Sequence, residues 1–375
     1  MPKLEKVALF VPSLCGGGAE KVTVTLANEF AKKNIKVDLL LAHAHGPYLT
    51  DVSPAVRVID FTRARVVSCI PQLVRYFATH RPACLLSALN HANVAAAIAR
   101  RISGSRSRLV VAEHTTPLTM RVSRLRGLVV KHLLRFAYRS ADLVIAVSQG
   151  VASDLRSLKI PPKKIAVIYN PIVSEDLLLK ASIGCSHPWF QPGQHPVVLA
   201  VGRLVETKDF ALLIQSFARV RKSHDARLVI LGEGPARPDL ETLIATLRLQ
   251  DCVDLPGFVA NPYSFMKNAA VFVSSSGREG FGNVIVEALA CGLPIVSTNC
   301  PGPCEILCDG KWGTIVPVGD GEALAKAVDE ILKAQVSPKQ HSIERSKVFS
   351  VAISVDKYLN TLFAHSAESN TDASV

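Results

Sequence analysis

Short apolar runs recur along this chain at intervals that leave room for a helix between them. KVALFVP at 6–12 is followed by a helical pattern over about 19–33 and then by KVDLLLA at 36–42. The runs CLLSAL, RLVVAEH, DLVIAVS and KIAVIYN carry the same βαβ rhythm on to residue 170. Strands this apolar are expected to be buried on both faces, which calls for a parallel sheet covered by helices.

The rhythm lapses between 171 and 196, where Pro188, Pro192, Gly193 and Pro196 cluster among polar residues, and 173–195 is expected to be a linker. A second series then begins with PVVLAVG and runs through ARLVILG, VDLPG, AVFVSSS, PIVST and GTIVPV. Helical patterns over about 210–222, 240–249 and 321–333 lie between or after these strands. The expected architecture is α/β, with two Rossmann-like doubly wound domains at 1–172 and 196–345. A last helical segment, 346–365, is expected to reach back to the first domain.

Composition narrows the class. Hydrophobic residues make up 49% and charged residues 20% of the 375 positions, a globular balance. No stretch approaches the roughly 20 uninterrupted apolar residues of a membrane-spanning helix, so folding in the cytoplasm is expected. Nine cysteines without paired spacing point to free thiols in a reducing compartment. Charge is uneven: residues 1–172 carry 25 Lys and Arg against 9 Asp and Glu, whereas the remainder carries 18 against 22. A basic first half suits an anionic partner such as a phospholipid surface, a phosphate-bearing substrate or nucleic acid. Aromatics are only 6% and none interleave with the basic residues in a recognisable binding module, so nucleic acid is not expected.

The richest chemistry lies in SSSGREGFGNVIVE at 274–287, continuing ALACGLPIV. A strand ends in serines, a glycine-bearing turn follows, and a helix starts near Gly282 or Asn283. The backbone N–H groups and positive dipole end of such a helix suit a phosphate. Glu279, in the turn, would be repelled by that phosphate unless it faces sugar hydroxyls, so it reads as a hydroxyl acceptor. Glu287, further along the helix, reads from spacing alone either as an acceptor for a ribose diol or as a solvated helix glutamate.

The pair Glu279 and Glu287, an E-x7-E spacing within EGFGNVIVEALACGLPIV, resembles the signature of the family 4 retaining glycosyltransferases. VGRLVETKDF at 201–210, GGGAEKV at 16–22 and DGKWGTIVPVGD at 309–320 extend the resemblance over most of the chain. It implies the GT-B fold, with two domains facing a central cleft. It further implies transfer of a hexose or N-acetylhexosamine from a UDP-sugar with retention, without a metal or other cofactor. The acceptor class it implies is a glycan or a lipid-pyrophosphate-linked saccharide, in bacterial polysaccharide or lipid-linked oligosaccharide assembly. A sugar-nucleotide epimerase on the same plan is the alternative.

Residue by residue, the resemblance gives Arg203 and Lys208 the donor diphosphate, doing what a metal does elsewhere. Without it, Arg203 reads as a strand end and Lys208 as a solvated lysine. Gly280, Phe281, Gly282 and Asn283 join Glu279 and Glu287 at the donor, with Gly257 and Phe258 near the base. His114, after the RLVVAE run, is implied to touch the donor sugar, against the plainer reading of a structural histidine. Gly16 and Gly17 follow the first strand, where backbone can approach a phosphate or simply turn.

Two further features stand apart. Cys300, Cys304 and Cys308 recur every four residues, but without a second close pair or nearby histidines they do not make a structural zinc pattern. The stretch that opens on Arg121 and closes on Arg139 sets Val122, Leu125, Val129 and Phe136 on one helical face and Arg124, Lys131, Arg135 and Arg139 on another. It reads as a basic amphipathic helix that docks on an anionic membrane surface, or equally as a core-packed helix with a solvated face.

Overall fold

The computed structural model describes residues 6–115, 124–191, 193–334 and 340–363. The chain forms two compact units, 1–171 with 351–375, and 172–350.

Among the described residues, the first unit holds a parallel sheet of β1 (Val7–Val11), β2 (Val37–Leu41), β3 (Arg57–Asp60), β4 (Cys84–Ala88), β5 (Arg108–Glu113), β6 (Leu143–Ala146) and β7 (Ile165–Val167). Their order is β3-β2-β1-β4-β5-β6-β7. Strands β1, β2 and β4 are buried at every position, as their largely apolar runs require, and the Asp38 carboxylate within β2 is held by Arg57 and Tyr76. The edge strand β3 had no counterpart among the expected strands. Its four residues RVID are mostly exposed, so they lack the apolar run that marks a covered strand.

The second unit holds β8 (Val197–Val201), β9 (Arg227–Leu231), β10 (Val253–Gly257), β11 (Val271–Ser274), β12 (Ile295–Thr298) and β13 (Thr314–Val316), in the order β10-β9-β8-β11-β12-β13 and all parallel. Val198, Ala200, Phe210, Phe217, Ile230 and Val273 belong to its core. Both orders start in the middle of the sheet, wind outward to one edge, return and wind to the other, which is the doubly wound plan.

The linker expected at 173–195 is a correction: this stretch is folded into the second unit, which therefore starts at 172 rather than 196. Ser174 caps the helix Glu175–Ser182, accepting from the Leu177 N–H at 3.1 Å, and that helix buries Leu177 and Ala181. The rings of His187 and Phe190 both pack on Phe265, and His187 meets Asp254 at 2.9 Å. Of the prolines that suggested a linker, Pro188 starts a short 3-10 turn, and the few apolar side chains beside it suffice to anchor the chain.

The expected segment 346–365 also divides. Residues up to Ser350 stay with the second unit, where Val173 bridges Ser350, while the helix Val351–Phe363 joins the first. There it buries Val355, Tyr358 and Leu362, and Asp356 pairs with Lys33 at 3.2 Å.

Candidate active site

In a doubly wound sheet the loops following two adjacent strands diverge to opposite faces where the winding reverses, leaving a crevice at the carboxyl ends of those strands. In the second unit that point lies between β8 and β11. The loop after β8 carries Arg203 and Lys208, and the loop after β11 carries Glu279 and its neighbours.

The two loops are fastened to each other. The Ser275 hydroxyl donates to the Lys208 carbonyl at 2.9 Å, and the Gly277 N–H donates to the Thr207 carbonyl at 3.0 Å. Across this seam Lys208 Nζ donates to Glu279 Oε2, with side-chain exposures of 21% and 19%. Ser276 Oγ lies 3.5 Å from the same carboxylate oxygen. Lys208 is thus an ion-paired, half-buried group rather than a solvated lysine. Arg203 is exposed, and its guanidinium has no partner among the described residues.

Backbone close approach sets the Arg203 loop. Gly232 has φ +141°, and a Cβ there would lie 1.9 Å from the Gly202 carbonyl oxygen. A Cβ on Gly234 would meet the Leu204 carbonyl oxygen at 2.3 Å. The loop therefore rests directly on the main chain after β9.

Gly282, at φ +109°, turns the second loop into the helix Asn283–Ala290. The helix dipole directs its positive end toward this turn. Phe281 is 2% exposed and stacks edge-on against Phe349 at 5.6 Å, and Gly280 is buried as well. Phe281 therefore anchors the loop through its ring. Glu287 is buried, not the solvated glutamate that spacing allowed, and the Tyr263 hydroxyl lies 3.5 Å from its Oε1. Gly257 closes β10, two strands away from β8, and Phe258 follows it; Gly257 is buried and Phe258 is exposed.

In the first unit the winding reverses between β1 and β4. Gly16 and Gly17 follow β1, at the start of the helix Gly18–Lys32. The Gly17 N–H already donates to the Glu20 carboxylate in a capping box, so this helix start carries its own internal anion. The phosphate-cradle reading of the glycines thereby meets a competing carboxylate.

His114 follows β5. Its Nδ1 is buried without a hydrogen-bond partner among the described residues, and burial pulls the imidazole down to about 4. The ring is therefore neutral near neutral pH. Beside it, the fully buried Glu113 accepts from the Thr115 N–H at 2.9 Å, the Thr115 hydroxyl at 2.7 Å and the Tyr138 hydroxyl. With its amide nitrogen turned toward the carboxylate, Asn90 donates to Glu113 as well. Burial raises the Glu113 carboxyl above its ordinary value, against these hydrogen bonds.

The structure thus gathers Arg203, Lys208, Glu279, Gly280, Phe281, Gly282 and Asn283 around one switch point, with Glu287 on the helix behind. Gly16, Gly17 and His114 belong to the other unit. Sequence reasoning missed Ser275, Ser276, Tyr263 and the Asn90–Tyr138 support of Glu113. The serine run was visible, but which hydroxyl meets which loop was not.

The comparisons with known proteins agree. Residues 16–176 match the model described as Glycosyltransferase Family 4, and residues 187–347 match Glycosyl transferases group 1. The chain is 32% identical to an N-acetylgalactosamine-N,N'-diacetylbacillosaminyl-diphospho-undecaprenol 4-alpha-N-acetylgalactosaminyltransferase of Campylobacter jejuni, covering 95% of this chain and 100% of that protein. It is 28% identical to the lipopolysaccharide core biosynthesis glycosyltransferase LpsE of Rhizobium meliloti, covering 92% and 96%. Among solved structures, sucrose-phosphate synthase of Thermosynechococcus elongatus superposes with a TM-score of 0.82 at 20% identity, over 96% of this chain and 99% of that one. Anabaena HepE in complex with UDP-glucose gives 0.78 at 22% identity, over 96% and 100%. Two parallel, doubly wound units and matches of this reach make the chain a glycosyltransferase of the GT-B fold and of the family 4 type.

Proposed function

We propose that this glycosyltransferase moves a hexose or N-acetylhexosamine from a UDP-sugar to a saccharide carried on a lipid pyrophosphate, with retention of configuration and without a metal. The observation that carries the donor reading is the meeting of Arg203, Lys208 and the N-terminus of the helix Asn283–Ala290 around the β8/β11 switch point. A nucleoside diphosphate leaving group gains negative charge as the glycosidic bond breaks, and two cationic side chains with a helix dipole stabilise that charge. Glu279 orients the sugar and faces the positive charge developing at the anomeric carbon. Glu287 holds the ribose end, its carboxylate steadied by Tyr263. Neutral His114 offers a hydrogen bond to the donor sugar.

Retention follows from front-face displacement. The acceptor hydroxyl attacks the anomeric carbon on the side from which the diphosphate leaves, and the departing phosphate oxygen takes its proton. No protein nucleophile is needed. The UDP-glucose complex of HepE supports the donor class, and the diphospho-undecaprenol acceptor in the name of the Campylobacter relative supports the acceptor class. Docking of the helix Arg124–Ser140 on an anionic inner membrane surface, from the cytoplasmic side, would bring such an acceptor within reach. No helix among the described residues is long and apolar enough to cross a membrane.

Calorimetry with UDP-, GDP- and ADP-sugars in EDTA, on the natural chain and on Glu287→Ala, tests the donor reading. One UDP-sugar is expected to bind, and the substitution is expected to weaken it at least tenfold. Binding by no nucleotide sugar, or only with divalent metal added, overturns it. The anomeric proton coupling of the product reports retention.

A further inference from the structure

Lys208 has two claimants. In the structure its ammonium donates to Glu279, and on the proposed function it clamps the donor diphosphate. We infer that Glu279 and the donor diphosphate compete for Lys208, so that donor binding itself releases Glu279 to the sugar. The inference rests on the proposed donor site.

The geometry argues for an exchange of side chains and not of loops. Both main chains are fixed to each other by the Ser275 and Gly277 hydrogen bonds. Gly202 holds the stem of Lys208 close, since a Cβ on Gly202 would lie 3.3 Å from Lys208 Cε. What remains free to change is the far end of each side chain. Both partners are about four-fifths covered, so neither charge is easily left alone, and each needs a partner whether or not the donor is there. A diphosphate brings at least two negative charges and outcompetes one carboxylate for the ammonium. It also repels that carboxylate, and among the described residues Ser276 Oγ stands at hand to receive Glu279, together with the hydroxyls of the donor sugar. The pair thus ties the placement of the sugar-orienting carboxylate to the arrival of the diphosphate.

UDP has the diphosphate but no transferred sugar, so it separates the two roles of Glu279. Glu279→Gln keeps the shape of the side chain and removes the competitor, and it is expected to bind UDP about three- to tenfold more tightly than the natural chain. In a Lys208→Met background the same substitution is expected to change UDP affinity less than twofold. Uridine, without phosphates, should bind all four proteins alike, and circular dichroism melts check that each is folded. If Glu279→Gln leaves UDP affinity unchanged or weakens it, the competition is overturned while the donor site stands. A gain that persists undiminished in the Lys208→Met background also overturns it, because simple charge repulsion then accounts for the effect. If the natural chain binds none of UDP, GDP or ADP, the proposed function falls and this inference with it.

Discussion

His114 shows how burial decides what a residue can do. Its imidazole is pulled down to about 4, whereas an unfolded chain protonates histidine near 6.5, so the unfolded state binds more protons throughout that window. Stability is therefore expected to fall as pH drops from about 6.5 toward 4. His80 and His91 are lowered by burial too and act with the same sign. Glu113 acts oppositely: its raised value makes the folded state hold the extra proton, a contribution lost as pH rises through the folded value. Thermal midpoints measured between pH 7 and 4.5 should decline, and His114→Gln should decline less. Identical slopes would remove His114 as the cause, leaving the other two histidines and the carboxylates held below their ordinary value, such as Asp38. At this scale the sequence was legible by residue type. Lys208 and Glu279 stood out through the resemblance of their surroundings, but they are 71 positions apart and nothing in the sequence said that they pair. Glu287 is the same lesson reversed, since spacing allowed a solvated glutamate and only packing against Tyr263 shows it buried.

Elements were legible where their pattern is strong and lost where it is short or exposed. The largely apolar strands β1, β2 and β8 fall within the expected runs, whereas the exposed β3 escaped notice. The stretch 173–195 misled because prolines and polar residues mark loops and helix starts alike. Contacts between elements were not legible at all, and Gly232 is the telling case. A methyl group there meets the Gly202 carbonyl in a backbone conformation that side chains rarely adopt. Gly232→Ala should push the Arg203 loop away from β9 and weaken nucleotide-sugar binding by more than tenfold. Calorimetry alongside a thermal melt measures it. Binding at the natural affinity by a folded Gly232→Ala chain would show that the Arg203 loop does not need this seat.

Over the whole molecule, the surface proposed to meet an anionic membrane is the helix Arg124–Ser140, in the basic first half. This helix buries Leu134, Ala137 and Tyr138 against its unit, yet leaves Val129, Leu133 and Phe136 at 60%, 43% and 37% exposure. Lys131 is exposed beside that stripe, and so is Arg139, whose guanidinium donates to the Lys159 carbonyl at 3.0 Å. Arg121 and Val122 lie outside the described residues, and nothing is described of the Arg124 and Leu125 side chains. One face of this helix is therefore packed in the core, as the plainer reading expects, and an apolar stripe lies outside it, on which the proposed membrane docking rests. Sedimentation with phosphatidylglycerol vesicles at low salt is expected to carry the chain down, and Phe136→Ser together with Leu133→Gln should weaken that binding. Equal sedimentation with neutral phosphatidylcholine vesicles, or none with either, would remove the anionic surface as a partner.

Sequence by itself determined the class of fold, because buried parallel strands must be largely apolar and the helices between them must be amphipathic. It also pointed to the loops after β8 and β11 as candidates, through the resemblance of their motifs, although each residue alone also allowed a plain structural reading. Tertiary structure alone decided where the second unit begins, which unit receives the last described helix, and that Lys208 reaches Glu279. Strand order sets these meetings: β8 and β11 become neighbours only once the sheet has wound out and back, and no local pattern encodes that adjacency.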